Sequence, residues 1–547
     1  MRSPCDEAVI RSGASASPCT ARAQTWILAA TIVASSMAFI DSTVVNVALP
    51  ALQASFHATV ADVQWVVESY GLLLAALILV GGSLGDIFGR RLIFLLGVVI
   101  FAAASAGCGL AASIHQLLIA RSVQGIGAAL LVPGSLAIIS TSFDEKTRGT
   151  AIGTWSGFTA IMTALGPVLG GWLVQHASWR WVFFINLPLA AVVIVISLWH
   201  IPESRAAVRG HLDWLGALLV TVGLAGLVNG IIASESMGWT QPPVWISLVI
   251  GCGCLILFLF VETTANAPMV PLAIFRSASF SGANLLTLAL YAAIGIFFFL
   301  FPLDLIQVQK YSATATGGAM LPLIFLIFVL SRWSGGLVAR YGSRLPLVTG
   351  PLVAASGFLL FAVPSVGGNY WTSFFPAIIV LGLGMAITVA PLTTIVMSAV
   401  SEDRAGTASG INNAVARVAS VLAIAVLGVV MIQAFGMHLN RSLGRLALPS
   451  RLLQELQANE IKLAGLEPPA GLDPAPQAAI AHSIAAAFIF GFRIVMVICA
   501  ILSITGSALA WLMIPKSTAS PSSPGPYRQR RQPAVRSQHS WRSGRMR

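Results

Sequence analysis

Fourteen stretches of about twenty apolar residues, separated by short breaks, leave this chain few ways to fold. They fall at roughly 26–49, 62–82, 92–112, 115–139, 150–175, 180–201, 213–233, 244–262, 280–302, 314–338, 346–364, 371–394, 407–434 and 487–514. About 20 residues of helix cross a ~30 Å hydrocarbon core. Backbone groups in lipid must pair within their own segment, so each stretch is expected to be helical. Only 9% of residues are charged, against about 25% in an ordinary soluble domain. A water-soluble protein is thereby excluded, and the expected fold is an all-α membrane protein with the bilayer as its first partner.

The basic residues orient the spans. Arg90, Arg91, Lys146, Arg148, Arg205, Arg209, Arg276, Arg340, Arg344 and Arg404 occupy loops that fall on one side, whereas the short loops of the other side hold Arg180 and Lys310. The positive-inside preference then places the N- and C-termini in the cytoplasm of a cell (inner) membrane. The net charge of +12 owes most to residues 516–547, which hold eight Lys and Arg and no acid. A nucleic-acid partner is therefore not expected.

The chain also repeats itself. Gly82-Ser83-Leu84-Gly85-Asp86-Ile87-Phe88-Gly89-Arg90-Arg91 echoes residues 335–344, and Glu145 with Gly149-Thr150-Ala151-Ile152-Gly153 echoes Glu402 with residues 406–410. Both echoes skip eight spans, so the copies run the same way through the membrane. Two parallel six-helix halves with two inserted central helices follow, an arrangement found in transporters. The expected divisions are a tail at 1–24, a first half at 25–201, a linker with the inserted helices at 202–279, a second half at 280–515 and a basic cytoplasmic tail at 516–547. Within the second half lies a long outer loop, about 435–486. Leu452, Leu456 and Leu463 share a helical face there, which predicts an interfacial helix near 451–464.

Ionisable groups within spans are costly and mark function. Asp41 lies about 24 Å along the first span from Thr25, and Glu68 and Arg121 reach a similar depth from the other side. We expect an Asp41–Arg121 pair with Glu68 nearby as a proton-responsive cluster. A carboxylate holds its proton more tightly when desolvated and less tightly beside a guanidinium, so a cavity that opens and closes can exchange a proton for a solute. Thr31, Ser35, Ser42 and Asn46 fall on one helical face, expected to line an aqueous cavity. Asn412, Asn413 and Arg417 in the thirteenth span are further cavity candidates, with helix–helix hydrogen bonding as the alternative. The loop after the second span carries Gly82, Asp86, Gly89, Arg90 and Arg91, expected to latch helix ends in one state and release them in another. Gly153, Gly157, Gly166, Pro167, Gly170 and Gly171 make the fifth span suited to close packing and kinking.

Two enzymatic patterns are missing. None of the four lysines follows a glycine, which removes a phosphate-binding P-loop, and His-Glu-x-x-His does not occur. The six cysteines, Cys5, Cys19, Cys108, Cys252, Cys254 and Cys499, are read as small buried apolar residues rather than a disulfide or metal framework. No catalytic residue and no metal site is expected.

At this point the residues resemble the major facilitator superfamily, in its fourteen-span drug:proton antiporter branch. The 82–91 loop is similar to the signature between spans 2 and 3. Arg121-Ser122-Val123-Gln124-Gly125-Ile126-Gly127 resembles the span 4 motif whose arginine is implicated in proton coupling, and Gln124 joins the cavity candidates. Gly166-Pro167-Val168-Leu169-Gly170-Gly171 resembles the antiporter motif of span 5. Residues 41–50 resemble the branch's span 1 motif, and Trp179 to Pro188 a stretch typical of it. Ala339 departs from the pattern, where the second copy of the loop often carries an acid. The resemblance covers about residues 25–515. It implies a proton-coupled exporter of drug-like or antibiotic molecules working by alternating access. Protons and an amphipathic solute are its partners, no cofactor is needed beyond the proton gradient, and the molecule is expected to act as a monomer. An endogenous metabolite is the alternative cargo, and a non-transporting membrane sensor or enzyme the alternative class.

Overall fold

In a computed structural model the chain is a bundle of long helices. The structure describes Cys5 and residues 19–143, 145–205, 213–265, 268, 270–400, 405–446, 448–468 and 473–515. The first half comprises α1 (Ala21–Phe56), α2 (Val60–Phe88), α3 (Arg90–Leu110), α4 (Ile114–Ser142), α5 (Glu145–His176) and the two-part sixth span, α6 (Trp181–Phe184) with α7 (Asn186–His200). The inserted pair is α8 (Trp214–Met237) and α9 (Pro242–Thr264). The second half begins with α10 (Ala278–Leu303), which ends in a π-turn at Asp304–Val308, and continues through α11 (Ala313–Ala319), α12 (Leu321–Tyr341), α13 (Arg344–Phe361) and α14 (Phe375–Ser398). It closes with α15 (Ala405–Leu443), the short outer-loop helix α16 (Ser450–Ala458) and α17 (Pro474–Met513). Among the described residues thirteen helices are long and apolar enough to cross a membrane. The remaining expected span, 150–175, is covered by the continuous 32-residue α5.

Local chemistry sets the boundaries. Thr59 and Asp62 form a reciprocal capping box at the start of α2, and Ser113 and Ser277 cap α4 and α10 with their hydroxyls. One apolar cluster, with Ala30, Ala34, Phe94, Phe101 and Leu131, lies within the first half. A larger one runs from Val44, Leu49 and Val63 of the first half into the second, where Phe297, Phe301, Phe358, Phe361 and Phe374 pack ring against ring. The inserted helices meet each other where glycines permit it: a methyl at Gly251 would lie 2.5 Å from Leu227 N. Leu224, Val228 and Ile232 of α8 pack against Leu72 and Ala76 of α2 and Val421 and Ala425 of α15, at the seam between the halves. Most of α9 is left facing outward, with Trp245, Ile256 and Phe260 exposed for lipid.

Three expectations change. Cys5 and Cys19 are joined in a disulfide, which spacing alone did not reveal. Cys252 is exposed on the lipid-facing helix rather than buried. The loop expected at 435–486 is shortened from both ends, because α15 runs to Leu443 and α17 starts at Pro474. Its helix also stops early: α16 gives way to a 3-10 turn at Glu460–Gly465 that breaks at Leu463. Leu456 and Leu463 are buried in the larger apolar cluster that spans both halves instead of lying along an interface. The basic tail from residue 516 lies outside the described residues.

Candidate proton-coupling site and gates

Five of the six spans of the first half converge on one carboxylate. Asp41 of α1 and Arg121 of α4 form an ion pair with side chains 0% and 1% exposed. An isolated buried charge is costly, and a buried pair is stable only when its remaining hydrogen-bonding positions are filled. Here both partners make further hydrogen bonds. Gln124, one turn after Arg121, donates to Asp41 Oδ1 at 2.9 Å and accepts from Arg121 at 2.8 Å. Arg121 Nε donates to the Val66 carbonyl of α2 at 3.0 Å, and its guanidinium carbon sits 4.3 Å over the Tyr70 ring. Asn186 at the start of α7 donates to Asp41 Oδ1 at 3.3 Å and to Ser105 Oγ of α3 at 2.9 Å.

Gln124 therefore belongs to the charge pair and is buried, not part of an open cavity lining. Asn186 and Ser105 were not anticipated as participants. Asn186 lies inside the Trp179–Pro188 stretch that carried the resemblance, but only the packing of α7 on α3 reveals its partner.

Glu68 stands apart. It is fully buried, and neither carboxylate oxygen has a hydrogen-bond partner. No hydrogen bond or ion pair recorded among the described residues joins it to Asp41 or Arg121. Gln64, one turn before it, lies against Gly428 of α15, and Gly71 lies against Val421. Residues 64, 68 and 71 share a face, so Glu68 points toward the second half.

The polar stripe of α1 divides. Thr31 and Ser35 are fully buried: Ser35 donates to Ser135 of α4 and accepts from the Trp155 indole of α5. That part of the stripe packs helices together rather than lining water. Among the described residues, Ser42 and Asn46 donate to backbone carbonyls of their own helix, those of Phe39 and Ser42. In α15, Asn412 donates to Asn284 at 3.1 Å and Thr287 at 2.7 Å on α10, two bonds between neighbouring helices. Asn413 is exposed, and Arg417 reaches across to lie 5.9 Å from the Phe39 ring of α1.

The loop after α2 closes within its own half. Arg90 holds Asp86 through two nitrogens at 2.7 and 2.9 Å. Glu203, beyond α7, accepts from the backbone amides of Arg91 and Leu92, both at 3.1 Å. A carboxylate there satisfies amides at the start of α3 and complements its dipole. Arg91 donates to the Ile201 carbonyl at 3.0 Å. Gly89 has φ 126°, and a methyl there would sit 2.6 Å from Glu203 Oε1. Gly82 has only ordinary contact with Pro133; the tight approach is at Gly81, whose added methyl would strike the Ala129 carbonyl of α4. Glu203 escaped the sequence reading because it lies more than a hundred residues from the loop it completes.

The α5 glycines join the halves at the other face. A methyl on Gly166 would strike Thr43 of α1, and one on Gly170 would lie 2.6 Å from Val44. Gly171 abuts the Ala313 carbonyl of α11, and Gly317 abuts the Pro167 carbonyl. The surroundings of Gly153 and Gly157 lie outside the described residues. Beside this joint, Gln307 donates to Gln53 at 2.8 Å and Thr314 N to Gln175 at 3.4 Å, each bond crossing from one half to the other.

The comparisons with known proteins agree with this architecture. The model of the Major Facilitator Superfamily matches residues 31–424. The chain is 36% identical over 419 residues to multidrug resistance protein Stp of Mycobacterium tuberculosis (strain CDC 1551 / Oshkosh), covering 75% of this chain and 76% of the relative. It is 34% identical over 496 residues to the tetracenomycin C resistance and export protein of Streptomyces glaucescens, covering 89% and 91%. Among solved structures, a bacterial homologue of the human lysosomal transporter Spinster, in an inward-facing and unoccupied conformation, superposes with a TM-score of 0.61 at 20% identity over 90% of this chain and 98% of that one. A D-xylose–proton symporter gives 0.58 at 12% identity over 91% and 99%. Two six-helix halves meeting across α1, α5, α10 and α11, together with a family match that spans most of both halves, lead to one conclusion: this chain belongs to the Major Facilitator Superfamily.

Proposed function

We propose that the protein is a proton-coupled exporter that carries amphipathic, antibiotic-like molecules out of the cell by alternating access. The observation that carries this reading is the Asp41–Arg121 pair, buried and bonded to Gln124 inside the half that α5 joins to its partner. A proton arriving at Asp41 removes the charge that holds Arg121. The guanidinium must then find other partners, and the packing of α1 against α4 changes with it. α1 also carries Thr43 and Val44, which seat the α5 glycines, so a shift of α1 acts directly on the joint between halves. Ser42, Asn46, Asn413 and Arg417 are the side chains we assign to the solute path.

Both termini lie in the cytoplasm of the cell membrane in this reading, with the basic loops inside. Export rather than import is favoured by relatives named for resistance and for export. No cofactor is required and no enzymatic step is assigned. The second reading, export of a self-made metabolite, draws on the relative named for tetracenomycin C resistance and export. The test is a susceptibility panel in a pump-deficient host. Wild type should raise tolerance to several amphipathic antibiotics, and Asp41→Asn and Arg121→Ala should return it to the host's level. A wild-type strain no more tolerant than the empty host across the panel would remove the drug-export reading.

A further inference from the structure

At the face where the halves are joined, a cavity of about 710 Å³ opens between the end of α1, the π-turn after α10, the outer-loop segment 455–468 and the start of α17. Drug-sized ligands occupy pockets of roughly 300–1,000 Å³. Ile306, Val308 and Ile484 supply apolar wall, while Lys310, Lys462, Glu455 and Glu467 supply both signs of charge. The cavity lies well away from the proton pair. Gln53, on its wall, is twelve residues beyond Asp41 on α1, or about 18 Å along a helix.

Backbone strain gathers around it. The non-glycine residues with positive φ among the described residues are His57 at 50°, Lys310 at 59° and Leu463 at 50°. They come from three segments far apart in sequence. His57 and Lys310 line the cavity, and Leu463 lies between Lys462 and Ala464, which also line it. His57 is the left-handed residue that closes α1, whereas a bulky side chain such as that of Leu463 seldom adopts this conformation, and where surrounding structure enforces it, the site is commonly a ligand clamp or a switch. Gln53 ties the three segments together: it accepts from Gln307 at 2.8 Å and donates to the Lys462 carbonyl at 3.1 Å. One glutamine thus bonds the first half to the second half and to the outer loop that roofs the cavity.

We infer that this cavity is a second binding site, on the exit side of the closed gate, for a drug-sized amphipathic molecule with a charged end. The apolar wall takes the body of the molecule, and the Lys and Glu side chains at its mouth take the charge. The inference rests on the exporter reading for its direction: solute leaving between α1 and α10 passes beside Gln53 and Gln307 and enters this space beneath the 455–468 segment. It assigns the outer loop a task in solute release that the proton pair does not perform.

The test is a titration of the full-length protein in lipid nanodiscs with rhodamine 6G, an amphipathic cation, followed by fluorescence anisotropy. Wild type should show two classes of dye site. Ala485→Trp, which fills the cavity, should leave one, and Glu467→Gln should weaken that same lost class by about fivefold, the scale of one charge-assisted contact. A single class in wild type, or two unchanged classes in a monodisperse Ala485→Trp protein, overturns the inference. If Ala485→Trp does not fold, Glu467→Gln decides alone, and unchanged affinities overturn it. Proteoliposomes of the wild type run in parallel separate the two ideas. Absence of proton-linked dye movement there defeats the exporter reading, whereas nanodisc binding reports on the cavity by itself.

Discussion

Arg121 and Asp41 meet at a point where neither side chain touches solvent, and Gln124 bonds both of them. The first prediction follows from what each charge becomes without the other. Breaking a buried pair by removing one partner costs about 3–5 kcal/mol, largely because the survivor is left uncompensated. Asp41→Leu and Arg121→Leu should each lower the thermal unfolding midpoint in detergent. The double variant should recover a large part of the loss. Additive losses in the double variant would mean that the two charges are not coupled.

A second prediction separates neighbouring glycines. Gly81→Ala should reduce folded yield sharply, because its methyl meets the Ala129 carbonyl. Gly82→Ala should stay within about 0.5 kcal/mol of wild type, the range of substitutions away from special features. Size-exclusion yield and thermal melting of the two variants read this difference directly.

The third concerns Glu203, which holds the amides of Arg91 and Leu92. Loss of a side-chain cap costs roughly 0.5–2 kcal/mol. Glu203→Ala should lower stability by that amount, and Glu203→Gln, which keeps an acceptor, by less. Equal effects would show that the carboxylate acts only through its charge.

The fourth is a pH dependence of the outer loop. Burial pushes the Glu460 carboxyl above its ordinary value, with the hydrogen bond from Asn440 acting in the opposite sense. A folded-state value above the unfolded one means that folding favours the protonated form. The stabilisation is complete below the unfolded value and is lost as pH rises through the folded one. Limited proteolysis within 450–465 should therefore quicken as pH climbs out of the acid range. In Glu460→Gln the rate should vary only as the protease itself does.

Much of this architecture was legible because lipid simplifies the problem: long apolar runs must be helices, so thirteen of the expected spans coincide with helices long and apolar enough to cross a membrane among the described residues. The Asp41–Arg121 contact was legible for a related reason. Two costly charges at matched depth in adjacent helices have few places to go. What could not be read was rotation about the helix axes. Ser35 and Asn46 share a face on paper, yet Ser35 meets Trp155 while Asn46 donates back to Ser42 of its own helix. Glu68 has the depth of the pair but the azimuth of the α15 seam. Contacts between segments distant in sequence, such as Glu203 on Arg91 and Gln53 on Gln307, depend on packing that no local pattern encodes.

Proton movement in reconstituted vesicles tests the central claim most directly. Purified protein in proteoliposomes carrying a pH-sensitive dye should acidify the lumen when an outward proton gradient is absent and a rhodamine 6G gradient is imposed from within, one transported dye molecule driving proton entry. Asp41→Asn, folded and still binding dye, should leave the lumen unchanged. Dye-driven proton entry at the wild-type rate in Asp41→Asn would contradict the account, because the proton would then have a route that does not pass through the Asp41–Arg121 pair.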